Sequence, residues 1–362
     1  MNTNTSRQNP AEWDEDAQLL SHTARDLPMG RHQFHKERLM ARIQQEQRTR
    51  TAASEKAGRI RLLRPAIVLP AVAAALTGAV IAVVASPAGN GAGSGGVATG
   101  PALTTTVGAA TTKGVPQLLD RISLAAAETS HPAVKPGQYI YIESRAADTF
   151  TRSVGDKTTL ASHELHRRQI WNSPDGTKGW LIDPAVNDSP EGETLSLPDE
   201  QGNPREAGLN GPSYDYLAKL TTDPDALLAK IYKEEKGHGN SPDQQAFTTI
   251  GDLLGESYPP AELYSALFKA AAKIPGVVVV QDAVDAVGRH GVAVARLDET
   301  SGEREEWIFD RKTHVFLGER SVQVKENSGE GALIKPGTVT YTSAIMNRAI
   351  VDGIKQTPSQ AG

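Results

Sequence analysis

The chain has 362 residues, 22% of them charged and only 5% aromatic, with a formal net charge of −5 and no cysteine. The missing cysteine excludes disulfides, thiolate catalysis, cysteine-bearing zinc sites and the acylated cysteine of a lipoprotein anchor. Residues 1–64 carry a formal +4 and the remainder −9, so the bulk of the chain lacks the basic surface that direct nucleic-acid binding requires.

Residues 1–29 are acidic and residues 30–64 basic, with ten Lys or Arg against Glu37, Glu46 and Glu55. Residues 1–64 are expected to be partly helical and partly disordered. Within them "GRHQFHKERLMARI", residues 30–43, reads as one polar helix. His32 and His35 share a face of it, but two imidazoles are not a zinc site, and the donors nearby are only His22, Glu37 and a few acids before Pro28. One reading is a solvated basic helix near anionic headgroups. The other is a partner-binding helix: Leu39, Met40 and Ile43 form a narrow apolar edge, with Arg31, Arg38 and Arg42 around it.

"PAIVLPAVAAALTGAVIAVVAS", residues 65–86, is 22 residues without a charge. That suffices to cross a bilayer core of about 30 Å as a helix, and it begins too far into the chain for a cleavable signal peptide. Lys56, Arg59, Arg61 and Arg64 precede it, and no charge follows until Lys113. The positive-inside bias then places the N-terminus in the cytoplasm and the large C-terminal part outside the cell membrane. Residues 87–114, rich in Gly, Ala and Thr, read as a flexible linker. Gly91, Gly93 and Gly96 fit a dinucleotide-loop spacing there, but without the strand before and the helix after that such a loop needs.

Residues 115–355 read as the extracytoplasmic domain, followed by a disordered tail at 356–362. "VPQLLDRISLAAAET" has helical period, "GQYIYIES" alternates as a strand, and "HELHRRQIWNSPDGTKGWLIDP" suggests two strands around a turn at Ser173–Gly176. Residues 184–212 read as a long exposed loop. "TTDPDALLAKIYKE" opens a helical section, with Thr222 or Asp223 as cap and Pro224 at the first helical position. "QAFTTIGDLLGES" and "PPAELYSALFKAAAKIPG" continue it. From Gly276 the period switches to two: about four strands separated by "GRHG", "ETSG" and "DRKT" form an antiparallel meander, and "GTVTYTSAIMNRAIVDG" reads as a last strand. Strands, then helices, then strands point to an α+β fold. Its antiparallel sheet, open or curled into a half-barrel, is covered by helices on one face and preceded by one transmembrane helix.

Catalytic motifs are missing: there is no G-x-S-x-G elbow, S-x-x-K, H-E-x-x-H or phosphate loop. His163 and His166 would point to opposite faces of a strand unless a bulge intervened. Glu303, Glu305, Glu306 and Asp310 could pair carboxylates as a hydrolase needs, but Glu303 and Glu305 alternate with Arg304 as on a solvated sheet face. Tyr139 and Tyr141 share one strand face, as packing residues or as an aromatic shelf. The expectation is a protein that is not an enzyme and has no cofactor or metal.

The phrases "DLPMGRHQFHKERLMARI", "YLAKLTTDPDALLAKIY", "AAAKIPGVVVVQDAVDAVGRHGVAVAR" and "REEWIFDRKTHVFLGERSVQV", with the apolar span and Gly/Thr linker, together resemble a family of single-pass membrane proteins from high-GC actinobacteria. That family is similar in layout to membrane-bound anti-sigma factors. The outer part also resembles, more weakly, the half-barrel domains of lipoprotein carriers and stress sensors. The resemblance implies a signalling regulator whose cytoplasmic segment holds a sigma factor and whose outer domain senses or docks. It brings no catalytic residues. The departure is the absence of the zinc-type His-Cys-Cys pattern, so a partner would have to be held by helices alone. The alternative is an envelope protein anchored to hold a lipid, a peptide or a cell-wall component.

Overall fold

The computed structural model describes residues 97–128, 133–154, 157–187, 189–195 and 206–358. The membrane span at 65–86 and the candidate partner contacts Arg31, Arg38, Leu39, Met40, Arg42 and Ile43 lie outside these residues, as do His32 and His35. No helix among the described residues is long and apolar enough to cross a membrane.

Apolar spacing and local caps account for the helices. α1 (Val115–Glu128) buries Leu118, Leu119, Ile122 and Ala126 on one face. A single turn, α2 (Tyr214–Leu217), follows much later. α3 (Pro224–Glu234) starts where Asp223 accepts a hydrogen bond from the Ala226 amide at 2.8 Å, with proline in the first turn. α4 (Pro242–Glu256) repeats the device with Ser241, whose Oγ accepts from the Gln244 amide at 3.1 Å. α5 (Ala261–Ala271) has Pro260 at its N-cap.

The strands are β1 (Thr99–Gly100), β2 (Ala110–Thr111), β3 (Tyr139–Val154), β4 (Lys157–His163), β5 (His166–Asn172), β6 (Gly179–Ile182), β7 (Glu193–Thr194), β8 (Val277–Val284), β9 (His290–Leu297), β10 (Glu303–Phe309), β11 (Phe316–Gln323) and β12 (Val339–Val351). Every pairing is antiparallel. They form one sheet in the order β2-β8-β9-β10-β11-β12-β3-β5-β6-β7, with β4 on β3 and β1 on β4. The chain is thus α+β, and β8 to β11 are the expected meander. The last strand is central: β12 pairs with β11 on one side and β3 on the other, joining the two halves of the sheet.

The helices cover one face. Their core joins Leu119, Ile122, Leu227, Ile231, Leu253, Leu267 and Phe268 to the inward residues Val279, Val294, Trp307 and Phe309 of β8, β9 and β10. Phe247 of α4 stacks on Trp307 at 3.8 Å between ring centroids. Arg348 of β12 donates to the Leu254 and Gly255 carbonyls at the end of α4, giving partners to groups that a helix terminus leaves unpaired.

Three expectations need correction. Residues 97–114, assigned to the flexible linker, are built into the domain. β1 adds to β4, Thr104 bridges Thr338, and β2 adds to β8, so this stretch crosses the outer face of the sheet as a strap. The strap covers a buried triad in which Glu306 lies between Arg304 and Arg320, at 2.7–2.8 Å from each. Arg304 also donates to the Gly108 carbonyl of the strap at 3.0 Å. Composition misleads here because the strap binds through its backbone and its partners' side chains. The second correction concerns the tail: Gln356 is fixed, its carbonyl accepting from Trp171 Nε1 at 2.6 Å. Third, the loop at 184–212 contains β7, which pairs with β6, and a bridge between Gly208 and Gly211.

Candidate functional site

β4 and β5 run consecutively along β3, and the register breaks between them. Thr149 faces Ser162, whereas Ala146 faces His166, so His163, Glu164 and Leu165 oppose only Ala147 and Asp148. This one-residue bulge removes the strand alternation that would separate the two histidines. Their rings lie edge to face with centroids 6.3 Å apart.

Each ring has its own carboxylate. Nδ1 of His163 lies 2.7 Å from Asp148 Oδ1, and its ring packs on Phe150 at 4.6 Å. His166 is sandwiched between two acceptors: its Nδ1 is 3.0 Å from the Glu164 carbonyl and its Nε2 is 3.1 Å from Asp183 Oδ1. Only an imidazolium can donate to both. Burial works against that charge, but the Asp183 hydrogen bond and charge outweigh it, and the His166 pKa is raised above its ordinary value. Burial likewise opposes ionisation of Asp183, yet His166, Arg168 and the Ala185 amide together hold its carboxyl below the ordinary aspartate range. Arg168 reaches both Asp183 Oδ2, at 3.5 Å, and Glu256 Oε1 on the last residue of α4, at 3.3 Å. The cluster therefore ties the bulge to the covering helices.

Chemically the two rings differ. His166 has both nitrogens committed and can neither ligate a metal nor relay a proton. His163 uses one nitrogen on Asp148; its Nε2 has no hydrogen-bond partner among the described residues and can take a polar ligand. Among those residues no three His, Asp or Glu gather as a metal centre would. β1 is paired to this edge: Thr99 faces His163, the Glu164 amide donates to the Ala98 carbonyl at 2.8 Å, and Ser162 Oγ donates to the Pro101 carbonyl at 2.6 Å.

The other sequence candidates lie elsewhere. Glu303 and Glu305 do not form a solvated face, since Glu303 is half-buried and Glu305 is buried, and Glu306, also buried, points to the opposite side of β10 from Glu305. Glu305 accepts from Thr248 Oγ1 at 2.7 Å and Trp307 Nε1 at 3.1 Å on the helix side, and Glu306 sits in the arginine triad under the strap. Asp310 Oδ1 accepts from the Lys312 and Thr313 amides and shapes the β10–β11 turn. Tyr141 is buried against Trp171, with ring centroids 5.1 Å apart. Burial and its hydrogen bond to Glu143 push its phenol up to about 12, so it stays a neutral donor. Sequence reasoning missed Asp148, Asp183, Arg168 and Glu256; the bulge brings His163 and Asp148 beside His166 and leaves no signature in "SHELHRR", and β6 and α4 bring the rest from far along the chain. No family model matches the chain, and neither the curated proteins nor the solved structures include one similar to it.

Proposed function

We propose that the protein is a single-pass membrane regulator of the anti-sigma-factor type, its outer α+β domain sensing or docking and residues 30–47 engaging a transcription partner. One observation carries this reading: the chain arriving from the apolar span enters the domain as β1, paired to the strand end that bears His163. Residues 87–98 lie between the apolar span and β1, on the order of 40 Å at full extension. A ligand bound at His163 would thus act on the segment nearest the membrane. The reading is tested by capturing residues 1–64 as bait. Co-purification of a sigma factor supports it, and failure to retain any RNA-polymerase component rejects it. If deletion of residues 1–55 leaves function intact, the envelope-binding alternative takes its place.

A further inference from the structure

We propose that Glu235, His238 and Gln245 hold a divalent transition-metal cation at the C-terminal end of α3. This site shares no residue with the histidine bulge and stands whether or not the signalling reading holds. Glu235 caps α3, and left-handed glycines at Gly237 and Gly239 (φ 87° and 66°) turn the chain back on itself. The turn, closed by the His238 amide on the Glu235 carbonyl at 3.0 Å, folds the imidazole over the Glu235 side chain. Its Nδ1 comes 3.5 Å from Glu235 Oε2. Gln245, in the first turns of α4 and fully buried, sets its amide 3.2 Å from the same oxygen, and Asn210 Nδ2 lies 3.1 Å from Oε1.

Three features point to a cation. The Glu235 carboxylate is 3% exposed, yet no Lys or Arg among the described residues pairs with it; it is reached by two neutral amides and one imidazole. It also sits at the negative pole of a helix, where an added anion is unfavourable. His238 Nδ1 beside it is inaccessible to solvent and has no hydrogen-bond partner, and neither has Gln245 Oε1, which is turned towards Gly239 while Nε2 faces the carboxylate. The separations of 3.2 and 3.5 Å suit neighbouring ligands around one ion, since bonds of about 2.1 Å in a tetrahedron give edges of about 3.4 Å. A half-turn of the Gln245 amide exchanges its two ends and turns Oε1 towards that ion. Asn210 stays outside the coordination shell and orients the carboxylate, its Nδ2 closer to Oε1 at 3.1 Å than to Oε2 at 3.4 Å. The part-exposed ring of His238 leaves a route for entry and a place for a water as fourth ligand. One imidazole, one carboxylate, one amide oxygen and water suit zinc or cobalt better than calcium, which takes six to eight oxygens.

The test uses the purified full chain, without an affinity tag and stripped by EDTA, titrated with Co²⁺ and followed by visible absorption, with Zn²⁺ as competitor. The expected result is one equivalent whose band Zn²⁺ abolishes, and an apparent affinity at least about tenfold weaker in Glu235→Gln and in His238→Asn. Because the chain has nine histidines, His290→Asn, at an exposed pair with Asp282, serves as the control that leaves this equivalent unchanged. Melting in EDTA separates loss of ligation from loss of fold: both variants should still melt there in one cooperative transition, and added Zn²⁺ should raise only the wild-type midpoint. Equal Co²⁺ binding by the wild type and both variants, or no bound equivalent at all, overturns the proposal and leaves a plain His–Glu pair.

Discussion

One inserted residue between β4 and β5 decides what the histidines can do. Without the bulge, His163 and His166 would face opposite sides of the sheet; with it, one becomes a fixed imidazolium and the other keeps a free nitrogen. The fixed one makes a pH prediction with a definite sign. The folded-state pKa of His166 is raised above 6.5, so its contribution to stability is complete below that value and fades as pH rises through the folded pKa. Asp183 has a lowered pKa, so its contribution is complete above 3.8 and fades as pH falls through the folded value. The pair therefore stabilises most in the acidic interval between these limits. Thermal melting of the wild type from pH 5 to 9 should lose stability on the alkaline side relative to His166→Gln. If the two curves run parallel across that range, the ion pair does not contribute.

At the scale of elements, α4 is held by close approach as much as by apolar area. Gly251 faces β10 so tightly that an added Cβ would lie 2.4 Å from Trp307 Nε1 and 2.8 Å from Glu305 Oε1. In an exposed helix, replacing glycine by alanine gains up to about 1 kcal/mol. Here the obstacle is a buried indole clamped by Phe247, and overpacking of that kind costs about 1–3 kcal/mol. The clash should win: Gly251→Ala lowers stability by about 1–2 kcal/mol in urea unfolding, and a stabilised variant would contradict the packing described. This example also marks what the sequence makes legible. The starts of α3 and α4 can be read directly, because Asp223-Pro224 and Ser241-Pro242 carry their capping chemistry within a few residues. The meander is equally legible, since its strands alternate and its turns are short. The second half of β3, the strand at β4 and the strap are not, because their polar, small-residue segments are strands only by virtue of partners far along the chain. The solvated face read from Glu303, Arg304 and Glu305 fails for the same reason. Acids alternating with an arginine look solvated until the helix that buries Glu305 and the strap that covers Arg304 are in place.

At the scale of the whole molecule, the strap ties β4, β12 and β8 to the part of the chain leading towards the apolar span. It is a costly cover. The Arg304–Glu306–Arg320 triad beneath it is almost fully buried, and desolvating charges offsets much of what their pairing gains. Lifting the strap would return those groups to water, which makes peeling easier than unfolding of the aliphatic core. Thr104 and Thr338 allow a direct test. They form an antiparallel bridge in which the Thr105 amide donates to the Gly337 carbonyl at 2.8 Å and the Val339 amide to the Leu103 carbonyl at 2.9 Å. That pattern is the non-hydrogen-bonded pair, with Cα atoms about 4.5 Å apart, a separation a disulfide can span. The chain has no cysteine of its own, so Thr104→Cys with Thr338→Cys can form only this intramolecular link. Oxidation should stabilise the domain by about 2–4 kcal/mol, read as a higher melting midpoint reversed by reductant. If the strap transmits a signal from the His163 edge, the oxidised double variant should also keep its cytoplasmic partner bound under conditions that release it from the wild type, and reductant should restore release. A domain that is stabilised while release proceeds unchanged would show that the strap is only a fastening and that the signal takes another path.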